Sequence, residues 1–268
     1  MFSTQIHVVF NCREEERIFK PLIEHPPNKL YYFTAHIRET DQKDEFLDYY
    51  ERNVKLLKDK IPFLEIITKE IDYTDYIEVI QEISKIINFE REINPQCKIF
   101  INISSGSKMT SIASIEASKL WDCKIYYVYS SHYDPYGEGP LHKGELLIKQ
   151  PITFPIKKPK EIYIKFLKLF EDLIKNKYNK KDVEIKKEKF IYMKYLIDEL
   201  KSKKFIELES KHNDPGKRKS ALYMKANNFL EPLIKDLEYI EISDDKRNKK
   251  VYLTEIGQDI TKIFKFLI

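Results

Sequence analysis

In the first half of the chain, short β-branched and aromatic runs alternate with longer amphipathic ones, and few folds satisfy that pattern. Gln5–Phe10, Leu30–Ala35, Leu64–Lys69, Lys98–Ile103 and Cys123–Tyr129 read as strands. Between them the apolar residues recur at helical spacing: Phe46, Leu47, Tyr50, Val54 and Leu57 in Asp44–Lys60, and Tyr76, Ile80, Ile83 and Ile87 in Tyr73–Phe89. Glu14–Ile23 and Met109–Leu120 supply two further helices. Strand followed by helix, repeated, requires a mostly parallel sheet with both faces covered, because a parallel pair is joined only through a crossover. Residues 1–150 are therefore expected to form one α/β domain, and in such sheets ligands bind beyond the carboxyl ends of the strands, where the chain order reverses.

The turn after the fourth strand carries the chemistry. Asn102 ends the strand, and Ser104, Ser105, Gly106, Ser107 and Lys108 lead into a helix that begins near Met109. Bare backbone N–H groups, hydroxyls, the positive end of a helix dipole and a lysine together favour an anion, most often a phosphate. A helix N-cap needs one hydroxyl, and three serines with a lysine exceed that need. The spacing fits neither the P-loop nor the dinucleotide fingerprint. Asn11, Cys12 and Arg13, after the first strand, are placed to meet this turn at the same sheet edge. His132, Tyr133 and Tyr136 fall in an expected loop, Ser130–Gly139, whose aromatic rings suit stacking on a base.

Cys12, Cys97 and Cys123 form no C-x-x-C pair, so neither a disulfide framework nor a metal site is expected, and no cofactor is implied. The sequence has no signal-peptide pattern and no long apolar run, which points to the cytoplasm and away from a membrane. Charge divides unevenly. From Lys160 onward there are 26 Lys and Arg against 19 Asp and Glu, so a polyanion is expected to meet the second half.

Pro151, Pro155 and Pro159 mark a connector, because proline at this spacing fits neither a helix nor a central strand. Residues 151–184 are read as this connector and a linker helix, and 185–268 as a second domain. That domain shows a helix over Lys187–Lys203, a turn at Asn213–Gly216, a long broken helix over Arg218–Asp236, and two β runs, Tyr239–Ile242 and Lys250–Leu253. Thr254 is expected to cap a final helix. Helices followed by a basic-tipped hairpin describe a winged helix-turn-helix. Lys217, Arg218, Lys219 and Lys225 on its recognition helix, with Lys246, Arg247, Lys249 and Lys250 at its wing, are the expected contacts to double-stranded DNA.

The segment Asn102-x-Ser104-Ser105-Gly106-Ser107-Lys108-Met109 after a parallel strand resembles the CARF domain, the CRISPR-associated Rossmann fold. Tyr252-Leu253-Thr254-Glu255-x-Gly257 resembles the wing strand and last helix of archaeal winged-helix transcription factors. The combination is similar to the CARF–winged-helix regulators of archaea. The resemblance implies a Rossmann-like, mostly parallel α/β domain followed by a winged helix-turn-helix. It also implies a homodimer and a cyclic oligoadenylate ligand, with the tetra-adenylate ring favoured. Ser104, Ser105, Gly106, Ser107 and Lys108 would line its phosphates and riboses, and Asn11-Cys12-Arg13 would form the first ligand loop. Two alternatives stand beside this reading. One is a ring nuclease, in which Lys108 would be the catalytic residue, although Asn11 and Cys12 offer no hydroxyl to act with it. The other is a winged-helix DNA-binding protein with no ligand. The HEPN ribonuclease signature Arg-x-x-x-x-His is absent from residues 151–268, whose only histidine is His212.

Overall fold

A computed structural model of the chain describes residues 4–136, 141–151, 159–178, 189–208, 214–245 and 247–264. The chain divides into two units, Met1–Lys158 and Pro159–Ile268. The first unit runs β1 (Gln5–Phe10), α1 (Glu15–Glu24), β2 (Lys29–Ile37), β3 (Gln42–Lys43), α2 (Leu47–Lys60), β4 (Glu65–Ile71), α3 (Tyr76–Ile93), β5 (Lys98–Asn102), α4 (Lys108–Trp121), β6 (Lys124–Tyr133) and β7 (His142–Lys149). Strands β2, β1, β5 and β6 lie side by side and parallel, and β4 extends the parallel set on the far side of β2. The short β3 and the edge strand β7 run antiparallel. The expected mostly parallel, Rossmann-like α/β architecture is therefore present.

Because β2 and β4 continue from one side of β1 while β5 and β6 lie on the other, the chain order reverses between β1 and β5. The turns after these two strands therefore open at the same point of the sheet edge. Burial of Val9, Leu30 and Tyr32 against Ile18, Leu22 and Leu57 packs α1 and α2 onto the strands. Helices α3 and α4 are joined by the Trp121 indole, which donates to Ser84 Oγ at 2.7 Å.

The sequence reading placed a loop over Ser130–Gly139. Instead β6 continues to Tyr133 and pairs with β7, with an irregularity in register between Ser130 and His132. Gly144 and the charged residues of β7 disguise a half-exposed edge strand, in which alternation is weak.

The second unit runs α5 (Glu161–Tyr178), β8 (Phe190–Tyr192), α6 (Met193–Ser202), α7 (Pro215–Lys235), β9 (Ile240–Ile242), β10 (Lys250–Leu253) and α8 (Glu255–Phe264). Its sheet has the order β8-β10-β9, antiparallel. Helix α5 is not a linker. Phe166, Leu167, Phe170, Leu173 and Ile174 bury one of its faces in the same core as Leu196, Leu200, Leu230, Leu233 and Val251. The expected helix over Lys187–Lys203 begins only at Met193, after β8, and the helix expected to be broken runs continuously through α7, with Pro232 in its last turn. Thr254 caps α8, its Oγ1 accepting from Gly257 N at 3.0 Å. Much of the expected connector, residues 152–158 and 179–188, lies outside the described residues, as do Lys246 and Pro155.

Candidate ligand and nucleic-acid sites

The turn between β5 and α4 is built by side chains that the fold consumes. Asn102 is fully buried. Its Nδ2 donates to the carbonyl of Arg17 at 2.9 Å, and its Oδ1 accepts from Ser104 N at 2.8 Å. The Ser104 hydroxyl accepts from Val128 N, and the buried Ser105 hydroxyl accepts from Phe10 N at 3.4 Å. These two serines tie the turn to β6 and β1. Ser107 is the N-cap of α4 in a capping box: its Oγ accepts from Thr110 N at 3.1 Å, and Thr110 Oγ1 accepts from Ser107 N at 2.9 Å. Gly106 adopts φ +84°, and a Cβ there would lie 2.6 Å from Phe10 Cβ, so no other residue fits without strain.

Asn11 is buried as deeply. Its Nδ2 donates to Asp44 Oδ2 at 3.0 Å and to the Phe46 carbonyl at 2.8 Å, while its Oδ1 accepts from the Tyr32 hydroxyl at 3.2 Å. Asp44 in turn accepts from Ala35 N and Phe46 N. The amides of Asn11 and Asn102, both expected to meet a ligand, have protein partners and hold the two turns in place.

Asn11, Cys12, Gly106 and Ser107 converge on one cavity of about 260 Å³. Its remaining wall comes from Ala35, Ile37, Gln42, Lys43, Asp44, Glu45, Phe46 and Tyr73. None of these eight stood out in the sequence, because β3 is two residues long and only the fold brings residues 35–46 and 73 to the switch point. Burial pushes the Cys12 thiol up to about 11, against the backbone groups of Gly106 and Glu14 that pull it down, so it is a protonated, weak nucleophile near neutrality. Lys108 and Met109 are exposed in the first turn of α4, and Arg13 is exposed after β1. Arg17, which sequence reasoning passed over, latches α1 to β6: its Nε donates to the Val128 carbonyl at 2.9 Å and its NH1 donates to Glu14 Oε2 at 2.7 Å.

His132 and Tyr133 do not form a loop over this edge. They sit on β6, opposite Lys143 and His142, and the Tyr133 ring packs 5.1 Å from that of His142. Neither is among the described residues that line the cavity. Tyr136 is almost fully exposed. Among the described residues, no group of three or more His, Cys, Asp or Glu could hold a metal ion, and no helix is long and apolar enough to cross a membrane.

In the second unit, Asp214 caps α7 and Lys217, Arg218 and Lys219 stand exposed in its first turns. The β9–β10 turn is shaped by Asp245, whose Oδ1 accepts from Arg247 N at 2.8 Å and Asn248 N at 3.1 Å, leaving Arg247 and Lys249 exposed. Two of the residues expected to contact DNA have protein neighbours. Lys225 Nζ donates to the Glu207 carbonyl, and Lys250 lies on β10 rather than at the tip, with its Nζ 4.6 Å from the Phe190 ring centroid. Lys219, Arg247 and Lys249 line a cleft together with residues that the sequence did not single out, among them Lys194, Tyr195 and Tyr223.

Residues 181–265 match the family model for the DUF6293 C-terminal winged helix domain. The second unit carries a winged helix. In it α7 and the β9–β10 turn occupy the places expected of the second helix and the wing, and α5 adds a helix to the core ahead of the matched segment. Residues 5–133 match the model described as HFX_2341_N:-like, N-terminal. No curated protein matches the chain in sequence. Among solved structures, the chain is similar to Enterococcus italicus Csm6 bound to cyclic hexa-2'-fluoro-hexa-dAMP, at 14% identity over 49% of this chain and 34% of that one, with a TM-score of 0.40. It is also similar to Can2 from Sulfobacillus thermosulfidooxidans in complex with cyclic tetra-adenylate, at 14% identity over 98% and 65%, with a TM-score of 0.38. VC1899 from Vibrio cholerae matches at 13% identity over 96% and 64%, with a TM-score of 0.35. The chain spans less than two thirds of the length of each.

Proposed function

We propose that the chain is a homodimeric transcription regulator of the cytoplasm. A cyclic oligoadenylate, with cyclic tetra-adenylate favoured, binds at the β1–β5 switch point and changes how the winged helices engage double-stranded DNA. The observation that carries this reading is the convergence of Cys12, Gly106, Ser107 and Lys43 on one cavity beside the first turn of α4 and the exposed Lys108. A helix N-terminus and two lysines suit a phosphate, and of the two carboxylates in the same wall Asp44 accepts from Asn11 and from the Ala35 and Phe46 amides while Glu45 accepts from Gln42. At about 260 Å³ the cavity lies just below the usual range for small-molecule sites, about 300–1,000 Å³. It holds one part of an oligonucleotide ring, and a second copy of the chain supplies the other half of the site.

Within this reading Asn11, Asn102, Ser104 and Ser105 position the turn, while Gly106, Ser107, Lys108, Met109, Cys12 and Arg13 face the ligand. Binding is favoured over ring cleavage, because the Cys12 thiol is held protonated and the nearest serine hydroxyls are committed to capping and to backbone N–H groups. Ligand acts on DNA only if it prefers one arrangement of the dimer, and linkage then makes DNA change ligand affinity by the same factor. Calorimetry with cyclic tri-, tetra- and hexa-adenylate tests the sensor. Saturable binding that Lys108→Ala weakens supports it, and no heat with any ring rejects it.

A further inference from the structure

The winged helix holds a cleft of about 730 Å³ between the first turn of α6, the middle of α7 and the wing. Its lining differs from the rest of the basic surface. Tyr192, Tyr195 and Tyr223 line it together with the cations of Lys194, Lys219, Arg247 and Lys249. Tyr192 and Tyr195 are 44% and 50% exposed, while Tyr223 is half-buried with part of its ring against the core of the unit. Glu199 follows Tyr195 one turn along α6, and the Tyr192 ring lies edge-on to Phe190 with Lys177 Nζ 4.9 Å from its centroid. Asn227 and Asn248 add amide donors and acceptors. No carboxylate is among the described residues that line the cleft.

Phosphate contacts to a duplex need cations and hydroxyls but no aromatic faces, because the bases of a duplex are stacked on one another. Aromatic rings set among cations are the means by which proteins hold unpaired nucleotides: each ring stacks on a base of any identity while the cations follow the backbone. We propose that this cleft seats an unpaired nucleotide of a nucleic-acid strand. The base stacks on Tyr195 and Tyr223, the flanking phosphates meet Lys194, Lys219, Arg247 and Lys249, and the Asn227 and Asn248 amides reach the base edge. The volume admits a nucleotide with its neighbouring phosphates. The inference shares with the proposed function only the premise that the winged helix meets nucleic acid, and it does not depend on the cyclic ligand.

The test is fluorescence anisotropy of the full chain at fixed salt, with three labelled probes: single-stranded oligothymidylate, a blunt hairpin duplex, and the same duplex carrying a short 3′ overhang. The wild-type protein is expected to bind the single strand and to prefer the overhang over the blunt duplex. The double substitution Tyr195→Ala, Tyr223→Ala is expected to weaken single-strand and overhang binding at least about fivefold while leaving blunt-duplex affinity within about twofold. Tyr195→Phe, Tyr223→Phe should retain binding, because the rings carry it, and unchanged circular dichroism shows that each variant folds. Equal affinity for overhang and blunt duplex, or equal losses on all three probes in the alanine variant, overturns the proposal. Single-strand binding without any duplex binding upholds it and rejects the regulator reading instead.

Discussion

The side chain that Gly106 lacks would stand 2.6 Å from the Cβ of Phe10, so the α4 turn is pressed directly onto the end of β1. The turn after β5 is thereby held against β1 at a distance that only glycine permits, at a φ that only glycine adopts freely. The Ser105 hydroxyl completes the contact by accepting from Phe10 N. The arrangement explains why a turn with so many hydroxyls contains one glycine and no more. Gly106→Ala is expected to destabilise the first unit by about 3 kcal/mol, from backbone strain and overpacking together. Urea denaturation monitored by circular dichroism checks it, and a change below about 0.5 kcal/mol would contradict the close approach.

Asn102 makes a second prediction. Its amide satisfies a carbonyl of α1 and an amide of the turn, both in a site closed to water. Asn102→Ala leaves both unpaired and is expected to cost about 2–3 kcal/mol. Ligand affinity should fall with it even under conditions where the variant is fully folded, because Ser104 loses its anchor. Denaturation and calorimetry on the same variant separate the two effects.

Only part of this cavity was legible in the sequence, where Asn11, Cys12, Gly106 and Ser107 stood out, and the reasons are physical. The Ser104–Lys108 turn showed itself because chemistry and local structure coincide within a few residues. Lys43 and Tyr73 did not, because Lys43 reaches the cavity only through the antiparallel pairing of β2 and β3, and Tyr73 only through the parallel pairing of β1, β2 and β4. A buried amide looks the same in sequence whether it holds a ligand or a neighbouring loop, so the protein partners of Asn11 and Asn102 emerge only with the fold. The role of α5 could have been read, since Phe166, Leu167, Phe170, Leu173 and Ile174 form a helical stripe too apolar for a linker. Strands β3 and β8, two and three residues long, carry too little pattern to detect.

His7 gives the fold an acid dependence. Burial, with a smaller contribution from the charge of His25, holds its imidazole down to about 4 from an ordinary 6.5. Its ring stacks on Phe100 at 5.0 Å, and its Nδ1 lies 3.3 Å from the Tyr126 hydroxyl. A histidine kept neutral in the fold binds a proton more readily when unfolded. The stability it contributes is therefore present above about pH 6.5 and is lost as pH falls towards 4. The loss over that window is about 3 kcal/mol at most. His7→Gln should flatten the decline of stability between pH 6.5 and 4, and an unchanged pH profile would contradict the assignment.

The winged-helix cations should separate by salt dependence. Lys217, Lys219 and Arg247 are exposed and placed for phosphates, so substitution of each by alanine should lower the slope of log affinity against log salt by about 0.9. Lys225→Ala and Lys250→Ala should leave the slope unchanged, because these side chains are engaged with the Glu207 carbonyl and the Phe190 ring. Duplex titrations at four salt concentrations make the comparison.

The central claim is coupling between the switch-point turn of the first unit and the DNA surface of the second. The most direct measurement is the affinity of the full chain for a labelled duplex at fixed salt, with and without saturating cyclic tetra-adenylate, alongside calorimetry that establishes occupancy. The account predicts a change in duplex affinity of about fivefold or more, mirrored by an equal change in ligand affinity when duplex is added first. Tight ligand binding with duplex affinity unchanged would contradict it.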